Sequence, residues 1–194
     1  DETPLKDSLG ATLQELQLDG DVNARLHLDI PLNGELVTAK GEVTLRNNSL
    51  FIKPLDSTLK NLSGKFSFIN GDLQSEPLTA SWFNQPLNVD FSTKEGAKAY
   101  QVAVNLNGNW QPAKTGVLPV AVNEALSGSV AWDGKVGIDL PYHAGATYNV
   151  ELNGDLKNVS SHLPSPLAKP AGEPLAVNVK VDGNLNSFEL TGQA

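Results

Sequence analysis

The sequence predicts a mainly β protein: a long, curved antiparallel sheet meander whose apolar face lies inside the curve, entered through a short N-terminal helix. Three observations carry this. Apolar residues recur at every second position in run after run, and Asn-Gly and Asp-Gly pairs separate the runs. The continuous apolar stretches of a parallel sheet covered on both faces are missing, so each strand has one dry side and one wet side.

The helix is expected over about residues 4–16. In "TPLKDSLGATLQEL", Leu5, Leu9, Leu13 and Leu16 fall at spacings of four, four and three, with Asp7 or Ser8 placed to cap the start and Gly10 weakening the middle. From about residue 18 to 194 the period changes to two. "VNARLHLDIPLNG" puts Val22, Ala24, Leu26, Leu28, Ile30 and Leu32 on one side, and Asn23, Arg25, His27 and Asp29 on the other. "LVTAKGEVTLRN" repeats the pattern with Val37, Ala39, Gly41, Val43 and Leu45. Phe66 and Phe68 follow in "LSGKFSFING", then Tyr100, Val102, Val104 and Leu106 in "YQVAVNLNGNW". Val130 stands in "LSGSVAWDGK", Tyr148, Val150 and Leu152 in "YNVELNG", and Leu175, Val177, Val179 and Val181 in "LAVNVKVDG". Roughly a dozen strands are expected, joined by hairpin turns at Asn33-Gly34, Asn70-Gly71 and Asp133-Gly134. Long loops are expected over about 111–122 and 158–174, where prolines cluster, with room for a helical turn at 160–163. The whole of 1–194 reads as a single sheet segment.

The apolar sides carry no charge. In the five clearest strands Arg25, His27, Asp29, Lys40, Glu42, Arg46, Glu151, Lys180 and Asp182 all fall on the opposite face. A catalytic pocket needs polar groups converging in its apolar lining. None converge here, and neither a Gly-x-Ser-x-Gly nor a Ser-x-x-Lys nucleophile context occurs. His27, His143 and His162 are far apart without close ligand partners, so no metal is assigned, and the glycine pattern spells no phosphate-binding loop. We therefore expect no enzyme and no cofactor.

The formal net charge of -8 excludes nucleic acid as a partner. With 0 Cys and 0 Met, the chain has no disulfide and reads as a piece of a longer protein. No run approaches the roughly 18 apolar residues of a membrane-crossing helix, and the start is not a signal peptide, so any anchor is expected elsewhere.

Leu-x-Gly recurs at Leu18, Leu32, Leu62, Leu106, Leu126, Leu152 and Leu190, which puts glycines in line with the apolar residues. Such glycines let a sheet curve, or they simply punctuate strand ends. Trp82, Trp110 and Trp132 each end an apolar alternation; they suit the rim of a groove, a core plug, or a carbohydrate platform.

Over "LQLDGDVNARLHLDIPL", "GEVTLRNNSLFIKPLDSTLKNLSGKFSFINGDLQSEPLTASWFNQPLNVDF" and "HLPSPLAKPAGEPLAVNVKVDG" the chain resembles the AsmA-like family of Gram-negative bacteria. The likeness covers nearly the whole chain from about Leu9 and rests on extended apolar and glycine patterning. It implies a segment of a periplasmic β-groove, in a protein anchored in the inner membrane, that conducts phospholipids toward the outer membrane. It also implies acyl chains as cargo, neighbouring segments of the same longer chain as partners, and membrane contact through parts outside this stretch. The residues it would set against lipid are the inward Leu26, Leu28, Ile30, Val43, Leu45, Phe66, Phe68, Val102, Val104, Leu106, Val130, Val150, Leu152, Val177 and Val179. The competing expectation is a structural or adhesive β-sandwich whose two apolar faces close on each other, with no lipid cargo.

Overall fold

The structure is a computed structural model that describes residues 16–33, 36–184 and 186–193. Fourteen strands are present among the described residues. They are β1 (Leu16–Asp19), β2 (Val22–Asp29), β3 (Thr38–Ile52), β4 (Ser57–Ile69), β5 (Asp72–Ser75), β6 (Leu78–Trp82) and β7 (Gln85–Glu95). After these come β8 (Ala99–Trp110), β9 (Leu126–Gly128), β10 (Val130–Pro141), β11 (Thr147–Asp155), β12 (Val159–Ser161), β13 (Ala176–Asn184) and β14 (Phe188–Gln193). Twelve of them form one antiparallel sheet in which β3, β4, β5, β7, β8, β10, β11, β13 and β14 are successive neighbours. The predicted antiparallel, mainly β architecture is therefore present. The expected helix lies outside the described residues except at its end, where Leu16 opens β1, a strand paired with β3.

Three strands, β3, β4 and β7, are long enough to carry two partners along one edge, which departs from a simple meander; β7 carries β6 and then β5. The first part of β3 pairs with β2 and its last part with β1. β4 carries β6 along its first half and β5 along its second. Asn47 and Asn61 mark the change-over. Both sit in the left-handed region (φ 55° each), in stretches where the β3–β4 and β4–β6 registers shift. Asparagine tolerates that conformation better than most residues, and a bulge bends the strand that carries it.

Residues of β3, β4, β6 and β7 make the core. Leu45, Leu59, Leu62, Leu78, Ala80, Leu87 and Val89 are buried together, with Val43, Phe66, Phe91, Val104, Leu106 and the three tryptophans packed against them. Asn48, fully buried beside this cluster, donates through Nδ2 to the carbonyls of Asp19 and Asp21 and accepts from the Arg46 N–H through Oδ1. One side chain thus ties the β1–β2 turn to the bulge.

The proline-rich stretches contain more order than loops. A 3₁₀ turn (Pro112–Lys114) and a short helix α1 (Val120–Ala125) precede β9, and another 3₁₀ turn (Leu156–Asn158) precedes β12. β9 and β12 pair as a separate two-stranded sheet. The helical turn expected at 160–163 is thus replaced by strand at 159–161. The backbone groups of Ser161 bond those of Lys169, and Lys169 Nζ donates to the carbonyls of Leu156 and Val159, satisfying them better than an isolated turn would. Among the described residues no helix is long and apolar enough to cross a membrane.

Candidate functional site: a half-open apolar face

The registers turn sequence periodicity into geometry. Phe91, Val104, Val136, Val150, Val181 and Leu190 stand opposite one another on β7, β8, β10, β11, β13 and β14, in one row crossing six strands. A parallel row runs Val89, Leu106, Gly134, Leu152, Val179, Gly192, and a third runs Thr93, Val102, Ile138, Tyr148, Gly183, Phe188. Strand spacing of about 4.8 Å makes each row about 24 Å long. On the β2–β5 side the same face carries Leu26, Gly41, Phe68 and Leu73 in one row and Ala24, Val43 and Phe66 in another.

The opposite face is mostly polar, with Ala103, Ala131 and Ala176 among the polar residues, and its polar side chains bond one another. Asn88 bonds Asn107, Asn105 bonds Asp90, Gln101 bonds Asp139, Asn153 bonds Asp133 and Asn178 bonds Asn153. Lys180 and Glu151 form an ion pair across β11 and β13. Two open concavities, of about 500 Å³ and about 300 Å³, lie over this face beside Asp133, Asn153 and Asn178 and beside Lys94, Gln101 and Asp139. The polar side chains that line them bond one another, and Ala131 and Ala176 in the first and Ala103 in the second make up part of the rest. Among the described residues no cluster of three His, Asp or Glu side chains could hold a metal ion.

Of the fifteen residues named from the sequence, all but Ile30, which follows the end of β2, fall on the apolar face by register, and they differ in cover. Leu26, Leu28 and Ile30 are exposed, at 63%, 52% and 60%. Val43, Phe66, Phe68, Val102, Val104, Leu106, Val130, Val150, Val177 and Val179 are half-buried, and Leu152 is just exposed. Leu45 is buried in the core cluster. The registers thus bring Val102 through Val179 together on one expanse, while Val43 and Phe66 pack against the core cluster, Phe66 with its ring 5.6 Å from that of Phe91.

Glycines on this face are occupied by their neighbours. A Cβ on Gly41 would meet the Phe68 ring at 2.7 Å, one on Gly134 would meet Leu152 Cδ2 at 2.7 Å, and one on Gly183 would meet the Tyr148 hydroxyl at 2.7 Å. These notches keep large side chains lying flat on the sheet, the arrangement in which an aromatic ring covers a strand glycine. Neither reading of the glycines made from sequence anticipated this role, because it depends on register.

Sequence reasoning also missed that the tryptophans meet. Trp82 and Trp110 have ring centroids 6.2 Å apart, Trp110 and Trp132 4.7 Å apart, and Phe83 stacks on Trp82 at 4.7 Å. Trp82 Nε1 donates to Ser57 Oγ and Trp110 Nε1 to the Pro86 carbonyl, while the buried Trp132 Nε1 has no acceptor. At the other end of the same strands Tyr100 is 1% exposed and its hydroxyl lies 2.6 Å from both the Gly71 carbonyl and Thr93 Oγ1. Burial raises its pKa, the Thr93 bond opposes this, and Asp72, Glu95 and Tyr142 add to it.

The chain matches the YhdP protein family over residues 1–194. It is 98% identical, over all of its 194 residues, to the intermembrane phospholipid transporter YhdP of Escherichia coli (strain K12), and spans 15% of that relative's length. The AsmA-like resemblance read from the sequence is borne out by this likeness. No solved structure matches the chain.

Proposed function

The chain belongs to the YhdP protein family, and on that premise we propose that it is one segment of a periplasmic, inner-membrane-anchored groove that conducts phospholipids between the two membranes. Acyl chains rest on the half-open rows of β7 to β14 and on exposed Leu26, Leu28 and Ile30, while head groups stay in water. The segment acts without catalysis. Residues 1–194 work as one unit whose sheet curves around the lipid and continues into neighbouring segments of the longer chain, and membrane contacts are made by parts outside it.

The observation that carries this reading is a charge-free face that crosses six strands and is left half-covered by its own chain. A lipid tail moving through water exposes CH₂ groups at about 0.8 kcal/mol each, on the order of 10 kcal/mol per chain. A continuous apolar surface removes most of that barrier. The absence of charged side chains from the rows also leaves no strong local contact to hold a passing lipid. A closed sandwich is disfavoured because it would bury these rows against a second apolar layer.

The test is denaturing extraction of the purified protein followed by mass spectrometry. Phospholipid above the level of a control protein is expected, reduced by Val150→Glu. A lipid-free wild-type preparation would rule the reading out.

A further inference from the structure

We infer that the Tyr148 hydroxyl donates a hydrogen bond to a phosphate oxygen of the lipid carried on the open face, which fixes the strand end along which head groups travel. This rests on the lipid reading above and adds a residue and an orientation to it.

The chain has 3 tyrosines, all at the same end of the strands. Tyr100 and Tyr142 bond their hydroxyls inside the protein, Tyr100 to the Gly71 carbonyl and Thr93 Oγ1, and Tyr142 to the Gly96 carbonyl at 2.9 Å. Tyr148 does not. Its hydroxyl has no hydrogen-bond partner among the described residues, although the residue is half-buried on the apolar face. A phenol in apolar surroundings ordinarily finds a partner, because an O–H taken from water without a new bond is costly. In the three rows the other hydroxyl, that of Thr93, is already bonded to the Leu73 N–H and to Tyr100. The Trp132 N–H, which also lacks an acceptor, is buried out of a lipid's reach.

The position suits a head group. Tyr148 lies between Ile138 and Gly183 in its row, with Phe188 beyond. A Cβ on Gly183 would lie 2.7 Å from the Tyr148 hydroxyl and 2.8 Å from the Ser187 carbonyl oxygen, which accepts from the Asn184 N–H. The phenol therefore reaches over β13 toward the turn before β14, where Asn184, Asn186 and Ser187 are exposed and polar. Tails on the Val150 and Leu152 rows leave the glycerophosphate at this polar end, beside the donor. One phenol–phosphate bond, with its acceptor ionised, is strong enough to orient a lipid.

The experiment uses the purified full-length protein with the photocrosslinker p-benzoylphenylalanine at Ile138, the cross-strand neighbour of Tyr148, and vesicles of phosphatidylethanolamine doped with diacylglycerol. Lipid adducts are quantified by mass spectrometry with Tyr148 intact, in Tyr148→Phe and in Tyr142→Phe. We expect Tyr148→Phe to lower phospholipid adducts about three- to tenfold and to leave diacylglycerol adducts, which have no phosphate, unchanged. Tyr142→Phe, whose lost hydroxyl served the Gly96 carbonyl, should change neither. Unchanged phospholipid adducts in Tyr148→Phe, an equal loss of both lipids, or the same loss in Tyr142→Phe overturns the phosphate contact while leaving conduction standing. No phospholipid adduct with Tyr148 intact overturns conduction itself.

Discussion

Phe68 lies across Gly41, its cross-strand partner, so closely that a Cβ on the glycine would sit 2.7 Å from two of the ring carbons. The same Cβ would be 2.3 Å from the Arg25 carbonyl oxygen, a backbone atom of β2 that cannot swing away as a ring can. Gly41→Ala is therefore expected to push β2 off β3 and destabilise the sheet by about 1–3 kcal/mol. Gly145→Ala, with nothing within 4 Å of its Cβ, is the control and should leave the thermal midpoint nearly unchanged. Equal midpoints for the two variants would contradict this account of the β2–β3 edge.

Cover predicts how each apolar position tolerates charge. Val150 is half-buried in the open rows, so Val150→Glu keeps its carboxylate near water and should leave a folded, protease-resistant protein. Leu87 is 2% exposed inside the core cluster, and Leu87→Glu buries an unpaired charge that should unfold the domain. If both variants unfolded, the β8–β14 face would be a sealed core.

This contrast also locates what the sequence could and could not disclose. Period two identifies which residues share a side, so Val102, Val104, Leu106, Val150 and Val179 were legible as one face. It carries no information on cover, which is why Leu45 and Leu26 read alike and differ more than tenfold in exposure, 5% against 63%. Cover depends on which strands pack over the core near the register shifts at Asn47 and Asn61, whose left-handed backbone interrupts strands that look uniform in sequence. The tryptophan cluster was illegible for a related reason: Trp82, Trp110 and Trp132 meet only through the registers of four different strands. The β9–β12 pairing hid among prolines, Pro112 and Pro119 at the entries to the turn and helix before β9, and Pro164, Pro166 and Pro170 just after β12.

Asn48 should be costly to replace. Its amide closes three bonds to backbone groups at the β1–β2 turn and the bulge, and it is fully buried. Asn48→Ala strands those groups and is expected to cost about 1–3 kcal/mol, visible as a lowered denaturation midpoint and faster proteolysis near Gly20. Asn47→Gly, at a position with φ 55°, should be neutral or mildly stabilising because glycine adopts that conformation freely.

Stability should fall at both extremes of pH, from neighbouring groups. The Lys94 ammonium and then the Glu95 N–H hold the Asp72 carboxyl below its usual range. Its contribution is present above about pH 4 and is lost as the pH falls through the lowered value. Tyr100 has the opposite sign: burial raises its pKa, so its contribution is complete below about pH 10 and is lost as the pH climbs toward the raised value. In denaturation midpoints measured across pH, Asp72→Asn should flatten the acid limb and, by removing a charge that helps raise the Tyr100 pKa, slightly weaken the alkaline one, whereas Tyr100→Phe should flatten the alkaline limb alone. A Tyr100→Phe protein with an unchanged alkaline limb would show that another group sets it.

The two linked tryptophans make a sharper test, because the same substitution removes a satisfied N–H from one and an unsatisfied N–H from the other. Trp110→Phe deletes the donor to the Pro86 carbonyl and uncovers Gly108, whose Cβ position lies 2.7 Å from the Trp110 Nε1. Trp132→Phe deletes a buried N–H that has no acceptor, which relieves a desolvation cost of about 1–3 kcal/mol against the packing lost with the smaller ring. Trp132→Phe should therefore be the milder change, with a smaller drop in midpoint than Trp110→Phe. The reverse order would mean that the Trp132 N–H has an acceptor in solution, and tryptophan fluorescence of the single variants would show it as an altered emission maximum.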